Sequence, residues 1–403
     1  MHIIPKNREG FNSFQFIFLL LTLYGYELIS FFPSFYGLTE SRPVTVAFRI
    51  FLFLLTLIVI LKNKIRIQKW HLLIFLFWFF YLLRLFHDTA LSDRVINSPL
   101  IEYWSFSAII ILTILACTSY FSATTLLSVR KYVLILLFII NVLGFYNVMT
   151  NPLDVPDGVL VRADANPSLN TIAFGRTAAV LIFICLVYLL QYKTKIWVKV
   201  FLLIAMLLGI FNIFTAGSRG PLLQLCITVL IYFFTNRNLI KMRSLISLCI
   251  IFIILAFLFP NYLDVTSLLF DRLQETGFSS NDSDRLRASF FNSAWKQFLD
   301  NPLLGDSIET IVGGTYPHNL ILESLMALGL LGGVLMTVLF IKSFKTAIGY
   351  MKYPHLNWIG AILVMEIISC LSTGSITTHL LFWPLFAMTI NINGRLHPNI
   401  LHQ

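Results

Sequence analysis

The chain reads as an all-α, polytopic integral membrane protein with about twelve transmembrane helices and one long extramembrane loop, near 261–318. Three observations carry that reading. Hydrophobic residues make up 58% of the 403 residues and charged residues only 12%, with a mean hydropathy of +0.82. Apolar runs of about 18 to 22 residues, enough to cross a hydrocarbon core of about 30 Å, recur along nearly the whole length. Basic residues collect in alternate loops between those runs. A spanning β-barrel would need short alternating segments, and continuous runs such as "FRIFLFLLTLIVIL" are not that.

The spans fall near 12–32, 44–61, 70–86, 103–121, 132–149, 172–191, 196–214, 220–235, 242–260, 319–341, 356–373 and 379–393. The first is too long for a removable signal peptide and lacks a small-residue cleavage pattern. "KNKIRIQK" (62–69), Arg130-Lys131, "YKTK" (192–195), "NRNLIKMR" (236–243) and Lys342 to Lys352 fall on one side, with Lys6, Arg8 and Arg395. The segments 33–43, 87–102, 150–171, 214–219, 261–318 and 374–378 fall on the other, mixed in sign or acidic. The positive-inside rule then makes both termini cytoplasmic and the span count even. The net charge of +10 is therefore a topology signal and not a nucleic-acid patch.

All five cysteines (Cys117, Cys185, Cys226, Cys249, Cys370) lie in apolar segments without metal-ligand spacing. They read as small buried hydrophobes, with no metal or cofactor implied. No repeat or soluble domain divides the chain, so 1–403 is a single transmembrane domain holding the 261–318 loop. Within that loop, "SDRLRASFFNSAWKQFLDNPLLG" spaces Leu286, Phe290, Ala294, Phe298 and Leu299 as one face of an amphipathic helix. Pro302 ends the helix before Asn301, and Gly305 opens a turn.

Ionisable residues at a membrane are costly, so each needs a reason. On the outer side stand Arg162, Arg176, Arg219, Arg285, Arg287, His318 and His379. Arg219, in the tight turn "TAGSRGPLLQL", sits at a helix N-terminus suited to an anion such as phosphate; the alternative is snorkelling to lipid phosphates. Arg162 and Arg176 bracket "ADANPSLNTIAFG", where Asn170 or Thr171 caps the next helix. Arg176 lies deep enough to need a partner, with Glu366 preferred over Asp164 or Asp157. Pairing with Glu366 is as good a reason for Arg176 as chemistry, and His379 reads as interfacial packing. In "YPHNLILESLMALGLLGG" His318 can exchange protons, and Asn319 offers a donor and an acceptor, for example to sugar hydroxyls. Tyr316-Pro317 keep the preceding chain extended. Gly329, Gly332 and Gly333 read as packing points for a neighbouring helix. A paired-carboxylate glycosidase signature, a GxSxG elbow, an HExxH helix, a P-loop and a dinucleotide fingerprint are absent from the sequence. Several arginines with one histidine suit a diphosphate substrate, the arginines holding the leaving group and the histidine acting as base or clamp.

The pattern His318, Asn319, Gly329, Gly332 opening a span after a long outer loop that ends in "NPLLG", with "SRG" after an earlier span, resembles the O-antigen polymerase and O-antigen ligase superfamily. By motif the resemblance covers about 160 to 350. It implies a bacterial inner-membrane, metal-independent glycosyltransferase, similar in arrangement to the GT-C class. Its active site would face the periplasm, and its donor would be an undecaprenyl-diphosphate-linked oligosaccharide. The acceptor would be a second lipid-linked repeat unit in a polymerase, or lipid A–core in a ligase. Membrane lipid and a chain-length regulator protein are the further partners expected, with no nucleic acid. The resemblance assigns catalysis to His318, Arg219 and Arg285, with Arg287 as the alternative loop arginine. Arg162, Arg176, Arg287, Asn319 and Tyr316 would bind substrate. Composition favours the polymerase. A lipid-linked sugar flippase is the reading from another class, but it predicts matching halves and midplane polar residues that this sequence lacks.

Overall fold

The computed structural model describes residues 12–35, 42–150, 169–236 and 282–393. The ninth span (242–260), Arg162, Asp157, Asp164, Cys249 and the charged terminal residues lie outside them. Among the described residues the protein is all-α, with an isolated bridge between Ile65 and Ser119. Among the described residues eight segments are long and apolar enough to cross a membrane, and three apolar helices of 10–17 residues accompany them. This is a multi-pass membrane protein.

The helices follow the apolar runs: α1 Ser13–Ile29, short α2 Phe31–Phe35, α3 Arg42–Lys62, α4 Lys69–Phe86 continuing into a π-turn His87–Leu91, and α5 Leu100–Cys117. After them come α6 Ala123–Thr150, α7 Thr171–Gln191, α8 Ile196–Ala216, α9 Arg219–Thr235 and the loop helix α10 Asp282–Asp300. The last are α11 Leu320–Met351, α12 Asn357–Cys370 and α13 Phe382–Asn393. Capping chemistry sets several starts. Asn170 caps α7 by accepting from Ala173 N, and Gly217 closes α8 in the left-handed conformation.

Loops separate to two ends as their charge alternation predicts. At the basic end, Asn12 Nδ2 donates to Asn63 Oδ1 (3.0 Å) and Gln68 Nε2 to Asn391 Oδ1 (2.9 Å). Arg130 reaches Tyr192 Oη (2.6 Å) and Pro354 O (3.2 Å) at that same end. Between the ends the core is apolar, with Phe77, Trp78 and Trp383 stacked between α4 and α13. Polar ties also cross it. Buried Asn212 donates to both the backbone and side-chain oxygens of Asn141 at 2.9 Å, joining α8 to α6.

The feature that shapes the other end is a break in α11. Gly329 has φ 65° and ψ −156°, a conformation open essentially to glycine alone, and it divides Leu320–Leu328 from the long remainder. A Cβ at Gly332 would stand 2.7 Å from Ser324 O. Residues eight apart in a straight helix are separated by about 12 Å, so the two halves turn sharply together. This corrects the sequence expectation: Gly329 is the break, and Gly332 and Gly333 meet Leu325 and Leu328 of their own chain. No neighbouring helix packs there because the first half-helix occupies the space.

Candidate active site

The break is filled by the turn that ends α10. Pro302 stops that helix at Asp300, and Gly305 (φ 72°) brings the chain against Ala327. Leu330 N donates to Pro302 O, and Asp306 N to Met326 O, both at 2.7 Å. The backbone groups that the break frees are thus satisfied by the turn, as a membrane interior requires. On its other side, α10 places Ala294 against Leu322 and Met326 of the half-helix. On the inner face of α10 Ala294 and Gln297 are buried and Phe290 and Phe298 half-buried; Leu286 and Leu299, expected on it, are exposed. They diverge because the face is chosen by fit to the half-helix, not by hydrophobicity.

The strap from 304 to 311 is fastened to α4 and the segment after it. Arg84 donates to Leu304 O (2.8 Å), Gly305 O (3.1 Å) and Asp306 O (3.0 Å), and pairs with Asp88 (3.3 Å). Asp88 Oδ2 accepts from Ile308 N (2.9 Å). Arg94 grips both oxygens of Asp306 (2.7 and 3.1 Å), which hold its carboxyl below the usual range together with Gln297, against the opposing effect of burial. Glu309 accepts from Asn97 N, Ser98 N and Tyr103 Oη. Sequence reasoning missed this buttress. Arg84 inside an apolar run was its visible signal.

At the mouth of the half-helix, Asn319 is the N-cap. Its Oδ1 accepts from Ile321 N (3.1 Å) and Leu322 N (3.0 Å), and its Nδ2 donates to Leu371 O (3.0 Å). Donor and acceptor, expected to be open to sugar hydroxyls, are both turned to the backbone. His318 precedes it at φ 58°, the one non-glycine residue with positive φ among those described. Its ring stands edge-on to Tyr316 at 4.8 Å and 6.3 Å from Phe290 of α10. Burial, and then the charge of Arg287, lower its pKa to about 4, so the imidazole is neutral at pH 7. Neither ring nitrogen bonds to a described residue.

The arginines sort by partner. Arg84 and Arg94 are consumed by the strap. Arg176 Nη1 lies 3.4 Å from both oxygens of buried Glu366 and donates to Ser369 Oγ (3.2 Å), so the expected counter-charge is the observed one. His379 is buried rather than interfacial: Nε2 meets Thr373 O at 2.8 Å and Nδ1 lies 3.8 Å from Glu366, because the turn ahead of α13 folds inward. That turn is held by Ile376 N donating to Glu323 Oε2 at 3.0 Å. A cavity of about 260 Å³ opens beside this set, with Glu27 and Arg49 also in its wall. Arg176 and Asn319 meet the same turn, 369–371, at the end of α12. Arg219 begins α9, and Pro221 two residues on is where a Cβ at Gly175 would collide (2.8 Å), so Arg219 lies at the Arg176 end of the bundle. Of the loop arginines, Arg287 is the one whose charge acts on His318, and it has no counter-ion among the described residues. Arg285, the expected choice, is exposed and lies two residues earlier, about 200° round the helix.

Residues 204–337 match the family model described as O-antigen ligase (Wzy_C). This part of the chain is therefore similar to the O-antigen ligase family, in agreement with the resemblance carried by its motifs. The matched stretch runs from α8 to just beyond the break in α11. It takes in Arg219, Arg285, Arg287, Tyr316, His318 and Asn319, and leaves out Arg162, Arg176, Glu366 and His379. Among curated proteins, none matches the chain. The matched family implies glycosyltransferase-like chemistry on lipid-linked oligosaccharides.

Proposed function

We propose that the protein is an O-antigen polymerase, joining undecaprenyl-diphosphate-linked repeat units at the periplasmic face of the inner membrane. The observation that carries this reading is a neutral histidine, with neither nitrogen hydrogen-bonded to a described residue, beside an arginine without a counter-ion among the described residues. In the transfer, an acceptor hydroxyl oxygen bonds to the anomeric carbon of the donor sugar as the bond from that carbon to the diphosphate oxygen breaks. The electron pair leaves with the lipid diphosphate, and the hydroxyl proton passes to a ring nitrogen of His318. Arg287 and Arg219 neutralise the departing diphosphate, with Arg285 and Arg162 as further contributors. Diphosphate departs without being protonated, so no acid partner or metal is asked for, and in-line attack inverts the anomeric centre. Tyr316 and Asn319 position His318, and Arg176 acts through its pairing with Glu366.

The second reading is O-antigen ligase, favoured by the description of the matching family, with lipid A–core as acceptor. The lipopolysaccharide ladder of a deletion strain separates the two. Loss of a polymerase leaves core plus a single repeat unit. Loss of a ligase leaves bare core, with polymer still on the carrier lipid. A ladder of normal length and abundance would sink both.

A further inference from the structure

At the end of the bundle opposite His318, Lys62, Lys64 and Arg66 stand around a cavity of about 240 Å³ whose wall holds no carboxylate among the described residues. Lysine and arginine are expected at this end from topology alone, so their number decides nothing. Their setting does. The loop is fixed: Arg66 N donates to Thr118 O at 3.1 Å, Ile65 bridges Ser119, and Asn63 is tied to Asn12. Arg66 Nη1 is buried without a hydrogen-bond partner among the described residues, and a guanidinium nitrogen left so is costly until an acceptor arrives. Lys62, which ends α3, stands directly after the exposed stripe Leu54, Ile58 and Leu61. An apolar stripe running into an all-cationic cavity matches a molecule with an acyl chain at one end and an anion at the other.

We propose that this cavity is a phosphate site that takes the headgroup of an anionic phospholipid, its chains lying along Leu54, Ile58 and Leu61. Inorganic phosphate offers the same anion without chains, and the experiment separates the two. The full-length protein is reconstituted in nanodiscs of phosphatidylglycerol or of phosphatidylcholine, transferred to detergent, and its retained lipid counted by native mass spectrometry. Phosphatidylglycerol is retained and phosphatidylcholine is not. Lys64→Gln and Arg66→Gln each weaken retention about fivefold, from the roughly 1 kcal/mol that a surface cation contributes to anionic lipid binding. Lys199→Gln, an exposed cation at the same end away from the cavity, leaves retention unchanged. Thermal stabilisation by inorganic phosphate that both cavity variants abolish, without lipid selectivity, supports the phosphate site and gives it a free anion as ligand. Equal retention of the two lipids with no phosphate effect, or an equal loss in Lys199→Gln, overturns the site.

Discussion

His318 combines two properties that a substitution can separate, a titrating ring and a left-handed backbone. Asparagine tolerates that backbone region better than most residues, whereas a β-branched side chain does not. His318→Asn should therefore keep the thermal midpoint of the purified protein while abolishing long-chain product in complemented cells. His318→Val should lose product and also about 1–2 kcal/mol of stability. Unchanged product in His318→Asn cells would remove the base from the mechanism. The ring also fixes a pH dependence. With its pKa lowered to about 4, the basic form persists through neutral pH, and the acid limb of turnover lies near pH 4. Arg287→Gln removes one cause of the lowering, so that limb should move upward, toward the ordinary value of about 6.5. The sign for stability follows from the same shift. A depressed folded-state pKa contributes stability above about pH 6.5 that is lost as pH falls toward 4.

Among the elements, the half-helix and the turn that plugs its break form one unit. A Cβ at Gly329 would lie 2.7 Å from Pro302 O, and one at Gly305 2.5 Å from Ala327 O, so each alanine both strains the backbone and separates the two segments. Gly329→Ala or Gly305→Ala should each cost at least about 2–3 kcal/mol, read as a lowered unfolding temperature in detergent, while Gly349→Ala, with open space around it, should cost nothing. Glu309→Gln weakens the acceptor of three donors, so hydrogen exchange across 304–311 should rise without a change at the basic end. The same elements mark what a sequence can disclose. Apolar length placed the described spans, and the Asn319 cap and the Pro302 stop have local signatures. The break at Gly329 has none: "GLLGG" in an apolar run looks like a helix-packing motif, and only the distant turn docking there makes it a break. The histidine and the counter-charge of Arg176 were legible because charge near a membrane demands a reason. That the charge of Arg287 acts on His318 was not, since it depends on which face α10 turns to the half-helix.

At the scale of the whole molecule, the charge alternation and the tertiary contacts give the same two ends, and which compartment each faces is open to direct test. A cysteine at exposed Ile311 should react with a membrane-impermeant maleimide in cells whose outer membrane is permeabilised; one at Lys64 should react only after the inner membrane is opened. The reverse result would turn the proposed active site to the cytoplasm. The long reach of the strap has a consequence for how such a chain is made. Arg84 and the carbonyls it holds are separated by 220 residues at Leu304. At about 5–20 residues per second of synthesis, the cradle around Arg84, Asp88 and Arg94 waits on the order of ten to forty seconds for its strap. Only then can the half-helix bearing the His318 mouth settle, so the segment proposed to carry the chemistry is among the last to find its place during biogenesis.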